Sequence, residues 1–172
     1  MPIIYFSEGE IPDEFADCIK KGVEFVFGMI FGDGPKYDGA EVEKYIGDGV
    51  VGIISFVGDL HWLLMVAFPR TSAENLISKF TGFEIKYDDP DMGDGVGELA
   101  NMLGGDMVSR LAKMGIKVAV SLPSILRGHD VEPLLPKGAP AMNMHYSLGE
   151  DEFMLKIAGA QKGSSFGKAP GA

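Results

Sequence analysis

Glu98 and Asn101 are the two side chains whose types and placement first suggest chemistry with another molecule. They lie in GVGELANMLGGDMVSRLAKMG, residues 95–115. There Val96, Leu99, Ala100, Leu103, Met107, Leu111 and Met114 recur at helical spacing and predict one buried stripe. At roughly 100° per residue, Glu98, Asn101, Gly105 and Ala112 fall on the opposite face. Glu98 and Asn101, three apart, are surface neighbours. Gly97, Gly104 and Gly105 stand beside them, each costing about 1 kcal/mol relative to alanine within a helix. A flat face carrying one carboxylate and one amide suits close docking of another protein. The same residues also fit an ordinary solvated face, and the glycines fit close packing against a strand. The spacing alone leaves these readings open.

Other chemistries find less support. Gly93 and Gly95 begin a phosphate-loop spacing, but position 98 is Glu where G-x-G-x-x-G needs glycine. Asp88, Asp89, Asp91 and Asp94 would repel a nucleotide, and no frame of them meets the EF-hand ligand pattern. His61, His129 and His145 are scattered, and the first and last fall in expected strands. Cys18 falls on an apolar helix stripe, as a core thiol would. Ser55, Ser121 and Ser124 lack a nucleophile elbow. No cofactor and no metal is expected on this chain.

The elements that must position the polar pair are legible from pattern. A leading helix is expected over residues 12–31, stopped by Gly32, Gly34 and Pro35. Its Phe25, Phe27 and Phe31 exceed a single stripe and fit a sheet or a dimer partner. Strands are expected at Pro2–Phe6 and within Gly39–Gly47. VVGIISFVGDLHWLLMVAF reads as a hairpin turning at Gly58–Asp59. Thr71 and Glu74 have capping-box spacing ahead of a short helix closed by Gly82. An acidic loop, Asp88 to Asp94, leads into the second long helix, which Gly115 ends. IKVAVSL reads as a strand running into Pro123, then a loop over about residues 124–140. Met142–Leu148 and Glu152–Ala158 form a second hairpin, and residues 161–172 a flexible tail. The fold class is α+β, one domain over residues 1–160, with two long helices packed on one face of a β-sheet. GVEFVFGMIFGD from Gly22 and GVGELANMLGGD from Gly95 match at five positions. Chance and a pseudo-twofold internal repeat both account for that.

Composition narrows the class. The 172 residues carry 25 acidic against 15 basic side chains, a net charge of −10, which disfavours nucleic acid and anionic membranes as partners. One cysteine excludes an intrachain disulfide and any multi-cysteine metal site. The start, MPIIYFSEGEIPDE, lacks the basic region of a secretory signal. The apolar run Leu63–Phe68 is far short of the ~20 residues of a membrane span. A cytoplasmic protein is the expectation.

From Asp94 the chain reads DGVGELANMLGGDMVSRLAKMGIKVAVSLP. It contains Asp-x3-Glu-x2-Asn at Asp94, Glu98 and Asn101, followed by Pro123. This resembles the signature of the CheC/CheX/FliY phosphatases of bacterial chemotaxis, over roughly residues 10–160. It is most similar to the CheX branch, which carries one such motif. The internal offset maps Glu98 to Phe25 and Asn101 to Gly28, and another frame offers Glu14 and Asp17; neither completes a second site.

The resemblance implies a phosphatase acting on the phosphoaspartate of a CheY-type response regulator. Asn101 would position the attacking water and Glu98 would pair with a lysine of the regulator. An amide can hold water but is no useful base at pH 7. Asp94, Gly97 and Gly105 would contribute to the partner-binding face, with Asp94 also capping the helix and Pro123 shaping the strand exit. Gly97 departs from expectation by adding flexibility at the turn that carries Glu98 and Asn101. The partner would bring its own Mg²⁺, and the chain would form a homodimer through sheet edges. The alternative is a non-catalytic docking module for a receiver domain or a flagellar-switch component.

Overall fold

The computed structural model describes residues 10–40 and 46–159. Helix α1 (Asp13–Phe31) ends where Gly32 turns left-handed at φ 86°. Strand β1 (Lys36–Gly39) follows, then the hairpin of β2 (Asp48–Gly58) and β3 (Trp62–Pro69). Helix α2 (Arg70–Thr81) and helix α3 (Asp91–Lys113) come next. Strands β4 (Val118–Val120), β5 (Ser124–His129), β6 (Ala141–Leu148) and β7 (Asp151–Gly159) complete the elements of the described residues.

The strands form one antiparallel sheet in the order β1-β6-β7-β3-β2-β4, with β5 also paired to β2. This order is symmetric about the β3–β7 pair. The run α1-β1-β2-β3 and the run α3-β5-β6-β7 exchange roles: β1 pairs β6, and β5 pairs β2. Of the two readings that the sequence match left open, the topology bears out the pseudo-twofold repeat.

Strand β3 is apolar throughout because it is central and buried on both faces. Trp62, Leu64, Val66 and Phe68 join the three helices in the main core. Met65 and Ala67 join Val51 and Met154 in a smaller cluster on the other face. Aromatic stacking ties helices to sheet. Trp62 stacks on Phe56 with centroids 3.8 Å apart and takes the edge of Phe15 at 4.7 Å. Phe27 stacks on Phe153 at 4.2 Å. Phe27 thus faces the sheet and Phe31 is half-buried beside it, whereas Phe25 is exposed, with Arg110 over its ring.

Several local expectations are corrected. Thr71 and Glu74 make no capping box: Pro69 is the N-cap of α2, and the Glu74 carboxylate accepts from the Tyr87 N–H at 2.8 Å instead. Gly82 does close α2. The acidic stretch is not all loop, because α3 already begins at Asp91. His61 lies in the β2–β3 connection rather than in a strand. The first short strand is Lys36–Gly39, upstream of the expected Gly39–Gly47, whose residues 41–45 lie outside the described residues. The Pro2–Phe6 strand and the 161–172 tail also lie outside them.

The largest miss is β5, expected as loop. Its residues SILRGH lack strict alternation and are mostly exposed, since it is an edge strand held by backbone pairing to β2. Two residues of β2, Ile54 and Ser55, oppose three, Ser121, Leu122 and Pro123, between the β4 and β5 ladders. That is a β-bulge, a place in a sheet that tolerates proline, which has no N–H to donate. Ser121 fastens it: its N–H donates to the Ser55 carbonyl at 2.8 Å, and its Oγ accepts from the Ser55 N–H at 2.9 Å.

The glycines of α3 differ in what surrounds them. A Cβ on Gly95 would collide with Ile77 of α2, while one on Gly105 would meet nothing within 4 Å. Gly95→Ala is expected to lower stability by about 1–3 kcal/mol through overpacking. Gly105→Ala is expected to raise it by about 0.5–1 kcal/mol through helix propensity. Urea unfolding of both variants checks the pair; equal effects would mean that α3 and α2 are not packed as described.

Candidate functional site

Helix α3 turns its small residues inward. Val96 and Ala100 lie over Gly52 of β2, where a Cβ would come within 3.3 Å of Val96 and 3.5 Å of Ala100. Gly104 lies over Ile54 and Val120, where a Cβ would be 2.9 Å and 3.2 Å from their side chains. Gly97 is also buried. A Cβ there would meet Pro123 and Ile125 at 3.8 Å, an ordinary contact distance. The expectation that Gly97 and Gly104 flatten the outer face is thus corrected: both face the sheet, and of the three glycines beside the pair Gly105 alone opens outward.

Asp94, Glu98, Asn101 and Gly105 share the exposed face. Asp94 and Glu98 are one turn apart, as are Glu98 and Asn101. Neither Glu98 nor Asn101 has a hydrogen bond or ion pair among the described residues, so both side chains are available to a partner. Asp94 does not cap the helix. Pro90 is the N-cap, and Asp94 lies within the first turn, where the helix dipole favours a carboxylate. Pro123 sits in the bulge beneath Gly97, one turn from Asn101, and so supports α3 from the sheet side.

Residues that sequence reasoning left without a role hold the approach to α3. Tyr87 is buried and donates its hydroxyl to the Gly49 carbonyl at 3.1 Å. Its own carbonyl accepts from Arg127 Nη1 at 2.9 Å, and Arg70 lies 4.7 Å over its ring. Arg127 therefore ties edge strand β5 to the segment before α3. A tyrosine in an acidic, polar stretch was the available signal, but its partners come from β2 and β5 and have no sequence proximity.

His129 and Asp130 close the far end of β5. His129 Nδ1 meets Asp48 Oδ1 at 2.9 Å, and Nε2 lies 3.3 Å from Asp130 Oδ2. Asp130 Oδ1 accepts from the Gly47 N–H at 2.7 Å. Cys18 is buried in the core, and burial pushes its thiol pKa up, away from nucleophilic use. No group of three or more His, Cys, Asp or Glu side chains among the described residues could hold a metal ion.

A family model described as chemotaxis phosphatase CheX matches residues 50–147, more than half of the chain, including Asp94, Glu98, Asn101 and Pro123. The chain belongs to the CheX family. CheX is a chemotaxis phosphatase family. The matched span runs from β2 to β6 and so contains the whole of α3 and its bulge. Among solved structures, the fold is similar to chemotaxis protein CheX from Vibrio vulnificus (TM-score 0.74, 20% identity, 86% of this chain and 99% of that one). It is similar to a putative chemotaxis protein from Desulfovibrio vulgaris Hildenborough (TM-score 0.72, 25% identity, 90% and 100%). It is also similar to a chain of the CheX–CheY–BeF3–Mg²⁺ complex from Borrelia burgdorferi (TM-score 0.73, 18% identity, 86% and 98%). No curated protein matches the chain. Among the described residues no helix is long and apolar enough to cross a membrane.

The β5 clamp has a pH signature. Hydrogen bonding to Asp48, then the charge of Asp130, raises the His129 pKa above its ordinary value. The folded state thus favours the charged ring. The contribution to stability is complete below the unfolded value of about 6.5 and fades as pH rises through the folded value. An NMR titration of the His129 ring should give a midpoint above about 6.5 that Asp48→Asn lowers. A wild-type midpoint at or below that value would contradict the clamp.

Proposed function

We propose that this CheX-family chain dephosphorylates the phosphoaspartate of a CheY-type receiver, with Asn101 positioning the attacking water and Glu98 pairing with a lysine of the receiver. The observation that carries this reading is the pair itself. Both side chains are exposed on one face of a helix seated on the sheet, with no internal partner among the described residues. Membership of a phosphatase family and the likeness to a CheX found in complex with CheY support the same reading.

The chemistry asks little of the phosphatase. Water oxygen attacks phosphorus in line, the bond from phosphorus to the aspartate oxygen breaks, and the carboxylate departs with the bonding pair. The products are the free aspartate and dihydrogen phosphate, so no side chain need end the reaction with a proton it did not hold. An amide can accept one hydrogen bond from water and donate another, fixing the oxygen in line. Its contribution is positional, as with the water-orienting glutamine of small GTPases. The receiver's own Mg²⁺ would neutralise phosphoryl charge, so this chain need not hold a metal. Glu98, one turn away, would set the distance and angle of approach by its ion pair. Asp94 and Gly105 extend the docking face, Asp94 adding charge and Gly105 allowing close approach. Gly97 would act from beneath, facing Pro123 and Ile125, which support the same turn.

The cytoplasmic homodimer expected of the family belongs to this proposal too. Among the described residues the sheet runs from β1 on one side to β4 and β5 on the other, and a strand edge is a ready surface for a second chain.

The deciding experiment is a phosphate-release time course on a phosphorylated CheY-type receiver with Mg²⁺ and catalytic amounts of this protein. Asn101→Ala should bind the receiver with unaltered affinity and lose acceleration by about 100-fold. Glu98→Ala should weaken binding by at least about tenfold and slow turnover. Undiminished turnover by Asn101→Ala would remove its assigned role. Binding without acceleration by the wild type would favour a docking module.

A further inference from the structure

We infer that the groove between the start of α3 and the turn after α2 is a second docking site for the same partner. It would receive an apolar ridge of the receiver that carries lysine or arginine. This inference rests on the phosphatase reading above and names what else the partner must present. The groove encloses about 640 Å³ and runs from Glu98 past Asp94 to Phe80, Phe83 and Ile85. Its apolar side is Phe80, Ile85 and Phe83, the last a residue 75% exposed. Its other wall carries Asp89, Asp91, Asp94 and Glu98.

Those four carboxylates have no cationic partner among the described residues, whereas Glu84 at the same rim is taken by Lys86. The helix dipole accounts for Asp91 and Asp94 in the first turn of α3. It does not account for a phenylalanine held out in solvent beside them. The turn that presents Phe83 is fastened rather than frayed: the Ile85 N–H donates to Ser78 Oγ at 2.9 Å, and the Phe83 N–H donates to Thr81 Oγ1 at 3.4 Å. The ring is therefore offered in place, which lowers the ordering cost of binding.

Charge selects the occupant. An apolar floor under an unneutralised acidic rim accepts an apolar side chain flanked by cations, with Phe83 also available for a cation–π contact. A second copy of this chain in a twofold contact would set the same acidic rim against itself. Nucleic acid and anionic membrane would be repelled. A receiver whose lysine reaches Glu98 already brings a cation to one end of the groove, and the ridge continues from that point.

Steady-state dephosphorylation of a phosphorylated CheY-type receiver with Mg²⁺ tests this, using Phe83→Ser and a double Asp89→Asn, Asp91→Asn variant. Phe83 is exposed, and asparagine at 89 keeps the acceptor for the Asp91 N–H. Each variant should raise KM by about tenfold with kcat within about twofold, and the double variant should lose much of the salt dependence of KM. Wild-type hydrolysis with KM unmoved in both variants would overturn the groove and leave the phosphatase reading intact. Calorimetric titration with the same receiver, loaded with beryllofluoride and Mg²⁺, separates the other outcomes. Binding that the variants lose, without any turnover, would uphold the groove and overturn catalysis. Absence of binding by the wild type would overturn both. A Phe83→Ser variant whose oligomeric mass changes while KM does not would show a contact between copies and overturn the inference.

Discussion

Helix α3 lies closer to strand β2 than ordinary side chains permit, because the contact is made largely by groups that have little or no side chain. Gly52 receives Val96 and Ala100, and Gly104 lies over Ile54 and Val120. Gly95 lets α2 approach through Ile77. Gly95 and Gly104 weaken the isolated helix, yet a Cβ at the first would collide with Ile77 of α2 and one at the second would press on Ile54 of the sheet. The packing recovered in this way holds a 23-residue helix along its inner stripe and leaves its outer face free. Glu98 and Asn101 stand on that outer face, so their positions are inherited from the contact below them.

The bulge and Tyr87 serve the same placement from either side. Inserting one extra residue opposite Ile54 and Ser55 bends the β4–β5 chain, and Pro123 then sits under Gly97. Tyr87 joins β2, β5 and the segment before α3 through its hydroxyl, its carbonyl and its ring. The water-orienting role proposed for Asn101 requires a stiff carrier, since the gain would lie in geometry. The structure supplies that stiffness through packing, at a helix whose own composition is glycine-rich.

The topology gives both halves of the molecule the same architecture, yet only one of them carries the pair. Helices α1 and α3 occupy equivalent places in a symmetric strand order. At the places of Glu98 and Asn101, α1 carries Phe25 and Gly28. Phe25 is exposed under Arg110, and no carboxylate–amide pair exists there. The architecture is shared between the halves, whereas the exposed carboxylate–amide pair belongs to one of them.

The amino-acid sequence by itself determined the long helices, both hairpins and the polar pair. In each case the signal is local: apolar spacing along α1 and α3, glycine at the ends of α1 and α2, and the step from Glu98 to Asn101. It also carried the residues, Asp94, Glu98, Asn101 and Pro123, on which the resemblance to the family rests. What only the tertiary structure decided depends on partners far apart in the chain. Strand β5 exists because β2 is there to pair with it, and its exposed residues bear no alternation to announce it. Glu74 turned from a cap to the Tyr87 backbone because the folded chain brought a better-placed donor. Gly97 and Gly104 look inward, and Gly105 outward, because the sheet occupies one side of α3. The acidic groove beside Glu98 arises where the end of α2 and the start of α3 meet, a juxtaposition that no spacing along the chain encodes.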